Sequence, residues 1–189
     1  MKRIISAIIG ITLLACLCGC TVTEPEEVTA EFFQGLKTKN MEVLNRYMDD
    51  EHINILINSK GSQKDVDRIY KNIMKNFSYR IIKVEEGEKE TKIQMELSNV
   101  SFKKVMNAYQ KKSYAYMTDH LYENKLSKKE LNKKCLDIYA DQVAETAQNG
   151  KVRKTKMTVI LEKNDNYGWD IQVTNKLMET IVGQLSSPL

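Results

Sequence analysis

The sequence predicts an α+β domain in which N-terminal helices pack on a curved, cone-like antiparallel sheet, with a helical hairpin inserted between strands 2 and 3. Three observations carry this. Apolar residues recur at helical spacing from Val28 to Met74, change to a period of two through Tyr79–Val84 and Ile93–Leu97, and return to helical spacing over 103–148 before two further alternating runs. With 42% apolar residues, 29% charged residues, two Pro and eight Gly, the composition excludes a disordered or collagen-like chain. A chain of 189 residues buries roughly 70% of the surface it exposes when unfolded, so it needs no disulfides to fold. A mean hydropathy of −0.45 excludes a polytopic membrane protein.

The first segment reads as an export signal. Lys2 and Arg3 precede an uncharged, mostly apolar run from Ile4 to Gly19. That run is shorter than the roughly 20 apolar residues that cross a hydrocarbon core. It ends in Leu17-Cys18-Gly19-Cys20 and is followed at once by polar, acidic sequence. This ending resembles the lipobox of bacterial lipoproteins. The resemblance implies a signal peptide over 1–19, a diacylglyceryl group on the thiol of Cys20, and cleavage just before that residue. Cys18 at the second position before the cut is a less usual small residue, and Leu13-Leu14-Ala15-Cys16 fits loosely as a second site. The plainer alternative is a secretory signal with chance cysteines. Cys20 is preferred because the apolar run continues through Leu17 and because three cysteines fall within five residues.

Removal of 1–19 takes Lys+Arg from 29 to 27 against 25 Asp+Glu. The balance of +2 is not an overall nucleic-acid signature. Cys135 is then the one thiol left with no lipid, so no disulfide framework exists. It falls on a predicted helix with Leu131, Ile138 and Tyr139, where a buried structural thiol is expected rather than a nucleophile. Two histidines leave little material for a Cys-His site.

A tether over 20–24 leads into one domain over 25–185. Pro25 suits a first helical turn, and Glu26 and Glu27 favour its positive end. Val28, Phe32, Phe33 and Leu36 mark the first helix. Lys37–Asn40 breaks it, and Met41, Val43, Leu44, Tyr47 and Met48 mark a second. Ser62-Gln63-Lys64-Asp65 resembles a capping box for a third, carrying Val66, Ile69, Tyr70, Ile73 and Met74 on one face. Tyr79–Val84 reads as a strand whose Ile81-Ile82 pair signals a bulge or burial on both faces. Glu85-Glu86-Gly87-Glu88 turns into a half-buried strand with Ile93, Met95 and Leu97 inward. The insertion at 103–148 holds one helix with Val105, Met106, Tyr109, Tyr116, His120 and Leu121. A second, opened by the Ser127-Lys128-Lys129-Glu130 capping box, stops near Asn149-Gly150. Met157, Val159 and Leu161 form the third strand. Asp165–Gly168 turns, Trp169, Ile171 and Val173 form the fourth, and Leu177, Ile181 and Leu185 belong to a closing helix.

Helices followed by antiparallel strands, with Val28-x-x-x-Phe32-Phe33-x-x-Leu36 and Asn40, Tyr79-x-Ile81 and Leu161-x-x-x-Asp165-x-x-x-Trp169-x-Ile171, resemble the nuclear transport factor 2-like superfamily. The sequence also resembles Gram-positive lipoproteins of unknown function that carry this domain directly after the lipobox. The resemblance implies a conical cavity between sheet and helices. It does not imply one activity, because the superfamily includes isomerases, dehydratases and binding modules.

His120 beside Asp119 could form an acid–base pair, but neighbours on a helix diverge, so a packed or surface histidine is expected. His52 with Asp49, Asp50 and Glu51 could hold a hard cation, but the group lacks the spacing of a calcium loop, and solvated helix-end charge is expected. Trp169, Tyr79, Phe32 and Phe33 could line a pocket but are expected in the core. Tyr109, Tyr114, Tyr116 and Tyr122 cannot share one helix face, so some must be exposed. Residues 103–134 hold nine Lys (103, 104, 111, 112, 125, 128, 129, 133 and 134) against three acids, a balance of +6. Residues 24–51 hold eight acids against three bases, a balance of −5. Lys-rich runs are commonly solvated faces, yet beside a bilayer such a hairpin could contact anionic headgroups. No phosphate loop, nucleophile elbow, zincin or paired-Cys motif occurs.

The sequence therefore predicts a lipid-anchored extracytoplasmic binding or interaction domain on the outside of the cell membrane, with Cys20 as its lipidation site. No catalytic residue, metal or cofactor is expected, and no ligand-binding residue is named. Its expected partners are the membrane through the anchor and, beyond it, anionic headgroups, wall polymer or another envelope protein, but not nucleic acid. The alternatives are a cone-fold enzyme or carrier of a small apolar ligand, and an envelope structural or immunity-like protein.

Overall fold

The structure, a computed structural model, describes residues 24–57, 63–120, 127–165 and 168–186. Cys16, Cys18, Cys20, Ser62, Tyr122 and Lys125 lie outside them. Four helices come first: α1 (Pro25–Thr38), α2 (Met41–Tyr47), α3 (Asp50–Ile57) and α4 (Gln63–Met74). Strands β1 (Ser78–Glu85) and β2 (Glu90–Val100) follow, then the hairpin of α5 (Val105–Asp119) and α6 (Lys128–Asn149). Strands β3 (Val152–Lys163) and β4 (Trp169–Ile171) and helix α7 (Asn175–Ile181) complete the described chain. The sheet is open and antiparallel in the order β1-β2-β3-β4. The predicted α+β class, its helices before the sheet and its hairpin between strands 2 and 3 are all present.

Helix α1 is positioned by its apolar face. Val28, Phe32, Phe33 and Leu36 are buried, and Phe33 stacks on Tyr79 of β1 at 4.7 Å and leans on Phe77 at 5.8 Å. The helix stops where Lys39 turns left-handed at φ 55° and the Asn40 N–H reaches back to the Gly35 carbonyl at 2.9 Å. Asn40 then caps α2 by accepting from the Glu42 and Val43 N–H groups. A side chain at Gly35 would place its Cβ 2.5 Å from Val43, so the close approach of α1 to α2 requires glycine there. Helix α4 buries Val66, Ile69, Tyr70, Ile73 and Met74, as predicted, and the Tyr70 hydroxyl donates to the Leu36 carbonyl.

The β1–β2 register shifts between Ile81 and Lys83, which leaves Ile82 bulged outward and exposed. The predicted bulge is thus present, and the bend it introduces curves the sheet. Ile93, Met95 and Leu97 of β2 and Val159 and Leu161 of β3 line the buried face. Two readings need correction at the C-terminal end. Strand β4 has three residues, so Val173 lies beyond it. Helix α7 ends at Ile181, because Gly183 and Gln184 take φ values of 61° and 62°, and Leu185 falls after that turn.

Asn99 joins three elements. It is 5% exposed. Its Nδ2 donates to the Ile73 carbonyl at 3.1 Å and the Ile181 carbonyl at 2.7 Å, while its Oδ1 accepts from the Val100 N–H at 2.7 Å. Both helix carbonyls are C-terminal groups that lack an intrahelical partner. Asn99→Leu keeps the volume but strands two buried acceptors and the buried Val100 N–H. It is expected to lower the unfolding free energy by about 3 kcal/mol in urea denaturation; a change within 0.5 kcal/mol on the scale of ordinary surface substitutions would contradict this role.

Candidate functional site

The four aromatic residues belong to the core, as expected. Phe32 and Phe33 are fully buried, Trp169 is nearly so, and Tyr79 is half-buried against Phe33. These rings and the facing β2 side chains Ile93, Met95 and Leu97 occupy the centre of the concave side of the sheet. The Trp169 Nε1 and Thr91 Oγ1 atoms are buried with no hydrogen-bond partner among the described residues.

His120 ends α5, and its Nδ1 lies 2.8 Å from the Tyr116 carbonyl with the two rings 4.2 Å apart. It packs on its own helix, as expected. The acidic group around His52 is a helix start. Asp49 accepts from the His52 N–H at 2.8 Å and meets its Nδ1 at 2.6 Å, which opens α3. The His52 backbone N–H, and after it the ring nitrogen, holds the Asp49 carboxyl below its usual range. The expected helix-end charge is therefore present, but as the first turn of a helix the sequence reading omitted. Among the described residues no three of His, Cys, Asp and Glu converge as a metal set. Cys135 is half-buried rather than sealed. Burial, and next the neighbouring Cys135, raises the Tyr109 phenol above its ordinary value.

The hairpin displays its charge. Lys103, Lys104, Lys111, Lys112, Lys128, Lys129, Lys133 and Lys134 are all exposed. Among them Lys112 pairs with Glu145 at 3.3 Å, and Lys134 stands 5.7 Å over the Tyr116 ring. Tyr109 meets Tyr139 edge to face at 5.6 Å, which seals α5 on α6. Tyr114 is 70% exposed, so the tyrosines do divide between packing and surface. The Ser127–Glu130 capping box forms as predicted. Helix α6 docks on α4 through Arg68–Asp141 and through the Asn76 amide, which donates to the Ala147 carbonyl at 2.6 Å.

Sequence reasoning missed a groove of about 250 Å³ between β3 and α7. Leu97 and Asn99 form its floor, Arg153 and Thr155 one wall, and Lys176 and Glu179 the other. Helix α7 is held there by the Thr174 cap on the Leu177 N–H and by the Phe102 N–H bond to the Gly183 carbonyl at 2.7 Å. A Cβ at Gly183 would stand 2.1 Å from the Val100 carbonyl oxygen, at a φ that already favours glycine. The clustered cations at 151–156 were the available signal, but the second wall lies more than twenty residues away.

No protein-family model matches the chain, and no curated protein matches it. Among solved structures, the chain is similar to ycdA of Bacillus subtilis, a candidate lipoprotein. Identity is 15% and the TM-score 0.46, over 85% of this chain and 46% of that one. This chain thus spans about half the length of that protein.

The acidic N-terminal segment is partly consumed by structure. Glu31 accepts from the Tyr47 hydroxyl at 2.6 Å and pairs with Arg46 at 2.7 Å. Burial, and then the bond to Glu31, pushes the Tyr47 phenol from 10.0 up to about 12. Folding favours the neutral phenol, so this stabilisation is whole below pH 10 and is lost as pH rises through about 12. Between those values the unfolding free energy of the native chain should fall more steeply than that of Tyr47→Phe. Parallel slopes in urea titrations across that window would contradict it.

Proposed function

We propose that this chain is a lipid-anchored extracytoplasmic interaction domain of the nuclear transport factor 2-like type, without catalytic activity. Acyl chains on Cys20 hold it at the outer side of the cell membrane. The observation that carries this reading is the packed centre of the concave side of the sheet. Enzymes and carriers of that fold work inside the cone, whereas here Phe33, Phe77 and Tyr79 pack there against one another. Recognition falls to the surfaces and edges around that packed centre.

Helix α1 starts at Pro25. The tether from Cys20 to Glu24 reaches at most about 17 Å when extended, which keeps the domain close to the bilayer. Two or more acyl chains anchor far more stably than one. No helix among the described residues is long and apolar enough to cross a membrane. The exposed hairpin lysines supply a second, electrostatic attraction, each contributing about 1 kcal/mol beside anionic headgroups or a similarly charged wall polymer.

One fractionation series tests both parts. The full chain should pellet with membranes, and Cys20→Ser should not. The released Cys20→Ser chain should still sediment with phosphatidylglycerol vesicles at low salt. Adding Lys111→Gln, Lys128→Gln, Lys129→Gln and Lys133→Gln should weaken that at least tenfold. Unchanged pelleting of Cys20→Ser would overturn the anchor, and unchanged vesicle binding would overturn the role of the hairpin.

A further inference from the structure

Strand β4 covers only part of its neighbour. It pairs with β3 at Leu161, Glu162 and Lys163, and the Gln172 N–H adds a bond to the Ile160 carbonyl at 2.9 Å. From Val152 to Val159, the side of β3 turned away from β2 meets no backbone group among the described residues.

Strand alternation identifies the atoms left over. In an antiparallel ladder the N–H and C=O of one residue point to the same side, and successive residues alternate. The Lys163 N–H turns inward to the Lys89 carbonyl, while the Ile160 carbonyl turns outward to Gln172. The β2–β3 register runs from Val100↔Val152 to Glu90↔Glu162 without a shift. Val152, Lys154, Lys156 and Thr158 therefore present outward N–H and C=O groups, spaced to receive another strand.

The same stretch borders the groove. Arg153 and Thr155 lie opposite Asn99 and Leu97 on the inner face and look across to Lys176 and Glu179. Residues 151–156 read Lys-Val-Arg-Lys-Thr-Lys. Lys154 pairs with Glu96 at 3.1 Å, but Arg153, Lys156 and Lys176 have no ion-pair partner among the described residues. Lysines on an edge oppose pairing with a like-charged copy of the same edge. A strand of acidic residues meets them with the opposite sign.

We propose that the edge of β3 over Val152–Thr158 docks an extended acidic peptide segment of an envelope partner, added as a strand where β4 stops. Main-chain bonds to the outward groups supply affinity. Alternate acidic side chains enter the groove beside Arg153 and Lys176 and supply selectivity. This deepens the interaction reading above and rests on it for where the partner resides.

The test uses the full chain in phosphatidylcholine nanodiscs and a fluorescein-labelled, end-blocked octapeptide of four Glu-Val repeats. Binding should saturate and protect the Lys154, Lys156 and Thr158 amides from hydrogen exchange. Affinity should fall at least tenfold for Arg153→Glu/Lys176→Glu, and equally for the same peptide N-methylated at alternate amides. Lys156→Pro removes an outward N–H without breaking the β2 ladder and should weaken binding as strongly at unchanged circular dichroism. Absent saturation, equal binding of plain and N-methylated peptides, or concentration-dependent self-association that protects the same amides would each overturn the proposal. Loss of peptide binding with membrane pelleting intact removes the docking edge and leaves the anchored reading standing.

Discussion

The carboxamide of Asn99 is the constraint on which the arrangement of this domain depends. One side chain on β2 supplies donors to the last carbonyls of two helices that are distant in sequence, α4 and α7. Buried helix ends need such partners, and in a low-dielectric interior each bond is strong and each omission costly. Because α7 is fixed to β2 in this way, and because the tight turn at Gly183 lets the Phe102 N–H reach it, the inner face of the sheet is covered at its centre but not at the start of β3. The groove is a consequence of that geometry.

The centre of the sheet tells the complementary story. Helix α1 delivers Phe32 and Phe33 to the concave side, where β2 offers Ile93, Met95 and Leu97, and all are essentially inaccessible to water. Side chains packed to that extent exclude a reacting small molecule from the same space. Chemistry-bearing groups lie instead on the periphery, as the lysines of α5 and α6 and the cations of β3.

Much of the fold was legible because helices and strands write different periods. Val28 to Leu36, Val66 to Met74 and Ile93 to Leu97 declare their faces directly, and the Ser127–Glu130 box and the Ile81-Ile82 pair marked a cap and a bulge that the structure contains. Helix α3 was missed because its first turn is Asp50-Glu51-His52, which reads as a solvated loop until Asp49 is seen to accept the His52 N–H. Alternation continues through Val173, past the point at Ile171 where pairing ends. The groove was illegible because Arg153 and Lys176 become neighbours only through the bonds of Asn99 and Phe102, which no local pattern encodes.

Location, in this account, comes from chemistry at one sulfur, and the surfaces above acquire their meaning from it. The most direct measurement is intact and peptide mass spectrometry of the chain recovered from cells. The expected result is a mature N-terminus at Cys20 bearing a diacylglyceryl mass. A chain that begins at any other residue, or at Cys20 with an unmodified thiol, would contradict it.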